Sequence, residues 1–473
     1  MGDFSFWKRP GRYRIRIYFE DKTVESCPFV ISSHRIASQT GPLAVRFFYI
    51  QRCGCEVPGW HSPCHLDDGR FPDGTHHDLS GGWHDAGDYN KYNGYTPLSV
   101  YALARFAGSE ADRLGDEPPG FPSPLDEALW GAEWLKKCWN PDSNLLAGMV
   151  FSGYGYWGPP EEETDNIPGS GDDRPVLALG WNELELAAAA FAVLARKTGS
   201  SVWTDICRDM WETVLSQPAF DNDLNRGKRL LAAVEIHRLF EETESSSEAH
   251  SYASSLCDSQ AADGSWNVWP MLDLGLVPAA LAEFLRVFPS SSLKPEIQQS
   301  LEKFFLLWDT QRVAPFHIPK WDKDHIFYPY HPGEWYAGQN SMYLSLAWAG
   351  FCMENSLPHP LAQEAEIRAY GCLDWILGAN PLEICMMEGA GTIHLARYHH
   401  RYESIDNGLY GHVPGAICNG YVRASPSSDT PFLDIAGNAW QTNEPWLPHN
   451  AYFLLALSEY ERNSHRKKRI RKR

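Results

Sequence analysis

Ser80-Gly81-Gly82-Trp83-His84-Asp85-Ala86-Gly87-Asp88-Tyr89-Asn90-Lys91-Tyr92 is the stretch on which the reading of this chain turns. It sets two carboxylates three residues apart, with only Ala86 and Gly87 between them. Glycine permits tight turns and close backbone approach, so both carboxylates can aim at one ligand. Two such groups suit a general base and a partner that shares one water with it. Spacing alone favours a plainer reading, a capped loop. In that reading Asp88 satisfies backbone donors ahead of the apolar helical run through Leu98, Val100, Tyr101, Leu103, Ala104 and Phe106.

Bulk properties narrow the field. The chain has 473 residues, enough for one large domain or two to three small ones, and its 19 Trp, 21 Tyr and 22 Phe can fill a sizeable core. Aromatic faces beyond what packing needs are also what sugar rings stack on. Net charge is −19, and seven of the last eight residues are Lys or Arg, so the remainder carries 34 basic against 60 acidic groups. Such a surface repels nucleic acid and anionic membranes and suits a neutral substrate. The basic run Arg466–Arg473 reads as a solvated, disordered end.

No run of 18 apolar residues is present, so no membrane span is expected, and Met1–Pro10 lacks the apolar segment of a signal peptide. Eleven scattered cysteines read as mostly reduced thiols in a cytoplasmic protein. A removed leader would leave the same picture in a secreted one.

Residues 1–33 alternate as strands do, in Tyr13-Arg14-Ile15-Arg16-Ile17-Tyr18-Phe19 and Cys27-Pro28-Phe29-Val30-Ile31. Two strands cannot stand alone, so this segment is expected to lean on the main domain or to be poorly ordered. From Pro42 onward apolar spacing turns helical, in windows 97–107, 125–138, 181–197, 202–216, 228–241, 247–258, 275–288, 295–308, 339–354, 362–378 and 447–462. Such a run without strands between predicts an all-α domain. Connections 39–97, 140–180, 309–338 and 385–446 are long enough to be functional.

Gly-Gly-Trp-His-Asp-Ala-Gly-Asp-Tyr-Asn-Lys-Tyr resembles the signature of glycoside hydrolase family 9, the inverting cellulases, in the bacterial branch with an N-terminal immunoglobulin-like module. Motifs at 52–68, 80–92, 150–176, 376–381, 399–401 and 443–444 follow in family order. The resemblance implies an (α/α)6 barrel of twelve helices at 40–463. It also implies a remnant of the immunoglobulin-like module at 1–33, with the basic tail at 464–473 outside both.

By the same resemblance Asp88 is the catalytic base, Asp85 its partner on the water, and Glu444 of Asn443-Glu444 the general acid. From the residues alone, Glu444 is an acid near a helix start, flanked by Trp440 and Trp446, whose poor solvation would keep it protonated. Pro445-Trp446-Leu447-Pro448-His449 departs from the family's small and aliphatic residues there, which puts the neighbouring subsite in doubt. His399 and Arg401 of His399-His400-Arg401 correspond to a sugar-binding pair, although such a run alone reads as a surface cluster. Trp157 in Gly153–Pro160 and Trp335 in Gly333-Glu334-Trp335-Tyr336 are candidates to stack on glucosyl rings, or else packed loop residues.

Cys53, Cys64, His65 and His76 form the metal candidate, because softer sulfur and nitrogen ligands in a set of four suit structural zinc. Cys55 and His77 compete for the role. Arg52-Cys53-Gly54 and Cys64-His65-Leu66-Asp67-Asp68 resemble the family's zinc loops and support the first four. Calcium also occurs in the family, but Asn182, Glu183 and Glu185 lack its usual ligand string, so calcium stays unassigned.

The chain thus reads as an inverting endo-β-1,4-glucanase, expected to be monomeric, acting on a β-1,4-glucan or oligosaccharide. An exo-acting enzyme releasing cellobiose, glucose or glucosamine is the alternative, and a non-catalytic carbohydrate-binding protein is the alternative of another class. The inverting mechanism places base and acid about 6.5–9.5 Å apart, leaving room for water.

Overall fold

A computed structural model describes residues 7, 9–32, 35–115, 120–140, 148–153, 155–177, 183–218, 222–330, 337–405, 411–435 and 439–470. Its helices are α1 (Arg35–Ile50), α2 (Thr96–Phe106), α3 (Glu110–Leu114), α4 (Pro124–Cys138), α5 (Leu184–Thr198), α6 (Ser201–Ser216), α7 (Asp223–Phe240) and α8 (Thr243–Ser259). There follow α9 (Pro270–Asp273), α10 (Leu276–Val287), α11 (Lys294–Thr310), α12 (Asn340–Met353), α13 (Leu361–Ile376), α14 (Trp440–Asn443) and α15 (Leu447–Ile470).

Six helices close a ring: α2 packs on α5, α5 on α7, α7 on α10, α10 on α12, α12 on α15, and α15 on α2. A second layer surrounds it, with α4 against α2, α6 against α5, α8 against α7, α11 against α10, α13 against α12 and α1 against α15. The fold is an (α/α)6 barrel. The two layers differ in sequence for a physical reason. Ring helices touch neighbours on several sides, so α5 (LELAAAAFAVLARKT) and α12 (NSMYLSLAWAGFCM) are apolar nearly all round and bury almost every residue. Outer helices bury one stripe, as α6 does with Trp203, Cys207, Met210, Trp211 and Val214.

Ends are set locally. Ser123 caps α4 through a capping box with Asp126, and Gly199 closes α5 in the left-handed conformation.

Helix α1 lies where the sequence reading left a loop from residue 39. Gly41-Pro42 reads as a breaker, yet Pro42 sits inside the helix. The helix buries Ala37, Ala44, Val45, Phe47, Phe48 and Ile50, and that packing offsets the lost backbone bond. At its other end the chain also departs from expectation. The backbone of α15 runs on to Ile470, so residues 464–470, read as a disordered tail, are helical. No Gly or Pro follows Pro448, and Lys and Arg are good helix formers, favoured at the negative end of the helix.

Four short strands precede the barrel: β1 (Gly11–Tyr13), β2 (Arg16–Phe19), β3 (Lys22–Glu25) and β4 (Phe29–Ile31). They pair antiparallel as β1 with β4 and β2 with β3. Ile17, Tyr18, Phe19 and Val24 on the outer hairpin are exposed, whereas β4 borders a hollow shared with Ile36, Leu377 and Tyr460. The segment leans on the barrel through that end.

Strands β5 (Lys91–Tyr92), β6 (Met149–Val150) and β7 (Val176–Leu177) form one antiparallel sheet that ties the 80–92 loop to the 148–177 loop. A last hairpin comprises β8 (Val422–Ser425) and β9 (Ser428–Phe432). Among the described residues no helix is long and apolar enough to cross a membrane, and all eleven cysteines are free thiols.

Candidate active site

The loop 80–92 is held by its own backbone before any side chain acts. Cys53 N donates to Gly82 O (2.9 Å), His84 N to Gln51 O (2.8 Å) and Asp85 N to Asn90 O (2.8 Å). Gly82 takes φ +72° with Trp134 against its open side, where a Cβ would come within 2.8 Å of the ring. Gly87 is needed for another reason. A Cβ there would lie 1.8 Å from His399 O, so only glycine lets the 399–401 segment cross the loop. Arg401 N then donates to Gly87 O at 2.8 Å.

Asp85, Asp88 and Glu444 converge at this crossing, electrostatically as well as in space. Asp85 is buried, its Oδ2 accepting from Trp446 Nε1 at 2.8 Å while its buried Oδ1 has no partner. Leu447 N donates to Asp85 O (3.0 Å), fastening the start of α15 to the loop. Burial and the neighbouring Asp88 charge push the Asp85 carboxyl well above the usual range, against the Trp446 bond.

Burial also raises Glu444, and the charges of Asp88 and Asp85 add to it, so its carboxyl sits well above the ordinary 4.5. Asp88 feels burial too, but the Arg401 charge and bonds from Asn90 N and Nδ2 oppose it. All three carboxyls are raised, Asp85 and Glu444 well above their ordinary values and Asp88 against the opposition of Arg401 and Asn90, so Asp88 is the one best equipped to carry negative charge.

His399 and Trp157 face one another edge-on, with ring centroids 5.1 Å apart. Trp157 is 45 % exposed, an accessible aromatic face beside His399. Burial, with Arg401 and Arg397 nearby, lowers His399 to about 4, so it stands neutral. Arg401 differs from the sequence expectation of a sugar-binding side chain. It is 1 % exposed, and its guanidinium donates to Ser152 Oγ and to Gly153 O. From there it holds the 148–177 loop and supplies charge to Asp88. Trp335 lies outside the described residues.

The metal candidate needs one substitution of ligand. Cys53, Cys64, His65 and His84 are all buried, and their ligand atoms lie within 4.8 Å of one another. His76, named from the sequence, is instead turned to Asp67 O (3.0 Å) and Asp173 (3.6 Å). Ligand type and the resemblance at 52–54 and 64–68 gave His76 as the fourth ligand, whereas the backbone pairing of His84 N with Gln51 O delivers His84. Cys55 and His77 are not in the cluster.

Cys53 Sγ to His65 Nδ1 is 3.5 Å, Cys64 Sγ to His84 Nε2 3.8 Å and His65 Nδ1 to His84 Nε2 3.4 Å. Tetrahedral ligation at about 2.3 Å to sulfur and 2.0–2.1 Å to nitrogen requires roughly 3.6 Å and 3.3 Å. The remaining ring nitrogens are engaged: His65 Nε2 with Glu163 Oε2 (3.0 Å), and His84 Nδ1 with the Tyr402 hydroxyl (3.2 Å). That leaves the inward nitrogens as ligands, the outer-shell arrangement of a metal-binding histidine. Burial opposes ionisation of Cys53, but the Cys64 thiol, Lys91, His65 and His84 outweigh it and hold the thiol well below its usual value. The residues present fit a metal of the zinc type.

Glu163 carries the link onward. It accepts from Ser152 Oγ, which accepts from Arg401, so a chain of bonds runs from the cluster to the guanidinium beside Asp88. Gln51, which no sequence signal marked, spans the same ground. Its Nε2 donates to His84 O and Ala86 O, and its Oε1 accepts from His400 Nε2 at 2.9 Å.

Two acidic sites outside this centre bear on calcium. Glu183 and Glu185 at the start of α5 are met by Lys228 (2.7 Å) and Arg229 (3.3 Å), while Asn182 lies outside the described residues. Asp67, Asp172 and Asp173 bring carboxylate oxygens within 4.8 Å of one another.

Endoglucanase D of Acetivibrio thermocellus is 29% identical over 185 residues, covering 35% of this chain and 29% of that protein. The chain thus spans under a third of that relative's length. A single mutant of a thermostable endoglucanase from Alicyclobacillus acidocaldarius superposes with TM-score 0.71 at 22% identity, over 97% of this chain and 89% of that one. A zinc-binding triple mutant of the family 9 endoglucanase J30 superposes with TM-score 0.70 at 20% identity, over 97% and 90%. These likenesses show a shared fold. The sequence profile of Glycosyl hydrolase family 9 matches residues 40–457, most of the chain, and the protein belongs to that family.

Proposed function

We propose that this protein is an endo-acting hydrolase of β-1,4-glucans that inverts the anomeric carbon. The observation that carries the reading is the division of charge among three carboxylates at one crossing of loops. Burial with the Asp88 and Asp85 charges favours the protonated form of Glu444, while Arg401 and Asn90 oppose the rise that burial causes at Asp88. An acid and a base with separated proton affinities are what glycosidic cleavage uses.

Glu444 gives its proton to the glycosidic oxygen as the bond from C1 to that oxygen breaks. Asp88 takes a proton from water as the water oxygen bonds C1 from the opposite face. Asp85 helps hold that water through Oδ1, its oxygen without a protein partner. Trp157 and His399 offer a stacking face and a neutral imidazole to the sugars. A neutral glucan suits a chain of net charge −19 better than a polyanion does.

The Cys53–Cys64–His65–His84 cluster reads as a structural zinc site. Four protein ligands leave no open position, so the ion's contribution is to fix the fold around it. The zinc-binding variant of J30, which shares this fold, supports zinc as the first assignment.

Proton NMR of a β-1,4 oligomer during early hydrolysis tests the mechanism, with the α-anomer expected before mutarotation. A β-anomer at early times would mean a carboxylate nucleophile and would remove Asp88 from the role of base. Rapid viscosity loss of a soluble cellulose derivative is expected of endo action, and terminal-sugar release without it would assign the exo alternative.

A further inference from the structure

The ring helices α2 and α15 both start beside the catalytic loops, and their other ends help gather a second charged constellation. Arg105 lies nine residues past the start of α2 and Glu459 twelve past that of α15, on the order of 14 and 18 Å along the axes at 1.5 Å per residue. A cavity of about 1050 Å³ opens there. Five guanidinium groups border it: Arg105, Arg196, Arg238, Arg286 and Arg462. Lys197 and Lys294 complete its basic lining.

Three buried glutamates, Glu235, Glu283 and Glu459, anchor those arginines. Arg105 reaches all three at 2.7, 3.0 and 3.1 Å. Part of this lattice is plainly structural, since it joins the ends of ring helices and offsets their negative poles. The carboxylates, however, are spent. Glu235 accepts from Arg105 and Arg238 on Oε1 and from Arg196 on Oε2. Glu283 accepts from Arg105 and Arg286 on one oxygen and Arg238 on the other. Glu459 accepts from Arg105, Arg286 and Arg462 on Oε1 and from Arg286 on Oε2.

Each guanidinium has five N–H donors, so the cavity wall keeps donors after every one of these acceptors is used. Lys294 joins no ion pair among the described residues. With Glu110 also at the border, seven basic groups face four acidic ones, in a chain whose overall charge is −19. This side-chain surplus is local, and part of it offsets the negative helix poles.

We propose that this cavity at the base of the barrel is a binding site for a phosphorylated small molecule, remote from the catalytic carboxylates. Guanidinium forks match phosphate oxygens in pairs of bonds. The volume reaches the upper range of small-molecule pockets, several times what a bare phosphate fills, so the phosphate is carried on a larger body.

Isothermal titration calorimetry on the full chain at matched ionic strength tests this, with glucose 6-phosphate, tripolyphosphate and glucose as probes. Saturable heat is expected from at least one phosphorylated probe and none from glucose. Stronger binding of the monoester assigns a sugar phosphate, and stronger binding of tripolyphosphate a polyphosphate. Lys294→Gln with Arg462→Gln removes two charges at the rim, and Arg196→Gln removes one on the wall that leaves Glu235 paired with Arg105 and Arg238. At least tenfold weaker binding is expected in either variant, with oligosaccharide hydrolysis unchanged as the check on folding. Absence of saturable heat in the parent, or undiminished affinity in both variants, overturns the proposal.

Discussion

Trp446 Nε1 donates to Asp85 Oδ2 across 2.8 Å, joining residues 361 positions apart. The bond leaves Oδ1 of Asp85 as the buried oxygen without a partner, the one that would meet water in the proposed mechanism. Leaving a buried polar group without its hydrogen-bond partner costs about 1–3 kcal/mol, and about 1.4 kcal/mol is tenfold in rate. Trp446→Phe should lower kcat on cello-oligosaccharides roughly tenfold to a hundredfold, with a smaller change in KM. Steady-state kinetics that leave kcat untouched would make the bond a bystander.

Glu444→Gln and Asp88→Asn should each remove most turnover, by about 10²–10⁴. An aryl glycoside with a good leaving group needs little protonation, so it should partly rescue Glu444→Gln and leave Asp88→Asn inactive. Equal rescue of both would show the acid and base to be reversed or misplaced.

Stability should carry the signature of the same acid. Glu444 is raised well above 4.5 by burial and by Asp88 and Asp85. Its folded form therefore holds a proton that the unfolded chain gives up near pH 4.5. The stabilisation that this proton confers is complete below that pH and is lost as pH rises through the folded value. Glu444→Gln should match the parent's melting temperature in acid and exceed it increasingly above about pH 5. Parallel melting curves across roughly pH 4–8 would show that Glu444 is not held protonated.

Metal analysis should find about one zinc per chain for a closed four-ligand site. Cys64→Ser and His84→Ala should lose the metal and melt at lower temperature, whereas His76→Ala should keep it. Loss of zinc on His76→Ala with retention on His84→Ala would restore the ligand set read from the sequence.

Much of this protein is readable along the chain because the physics there is local. Helical periodicity marked most of the barrel's helices, and the contrast between all-apolar and one-faced stretches separates ring from outer layer, as in α5 and α6. The connection read at 39–97 overlaps α1, a helix that carries Pro42 inside it and is secured by the burial of Phe47, Phe48 and Ile50. The string from Gly81 to Tyr92 nominated Asp85 and Asp88, and Asn443-Glu444 nominated the acid, because each is a short motif long enough to carry the family resemblance.

Sequence by itself determined the helical class and the family signature, and through that resemblance it nominated the three carboxylates. Tertiary structure alone decided that His84 rather than His76 faces Cys53 and Cys64, and that Arg401 points into Ser152 and Gly153. It also brought Trp446 to Asp85. Ligand identity, side-chain direction and proton affinity depend on groups tens to hundreds of residues apart, and only a closed barrel sets those distances. A chain pattern reports what each residue prefers, while burial and approach determine which preference is met.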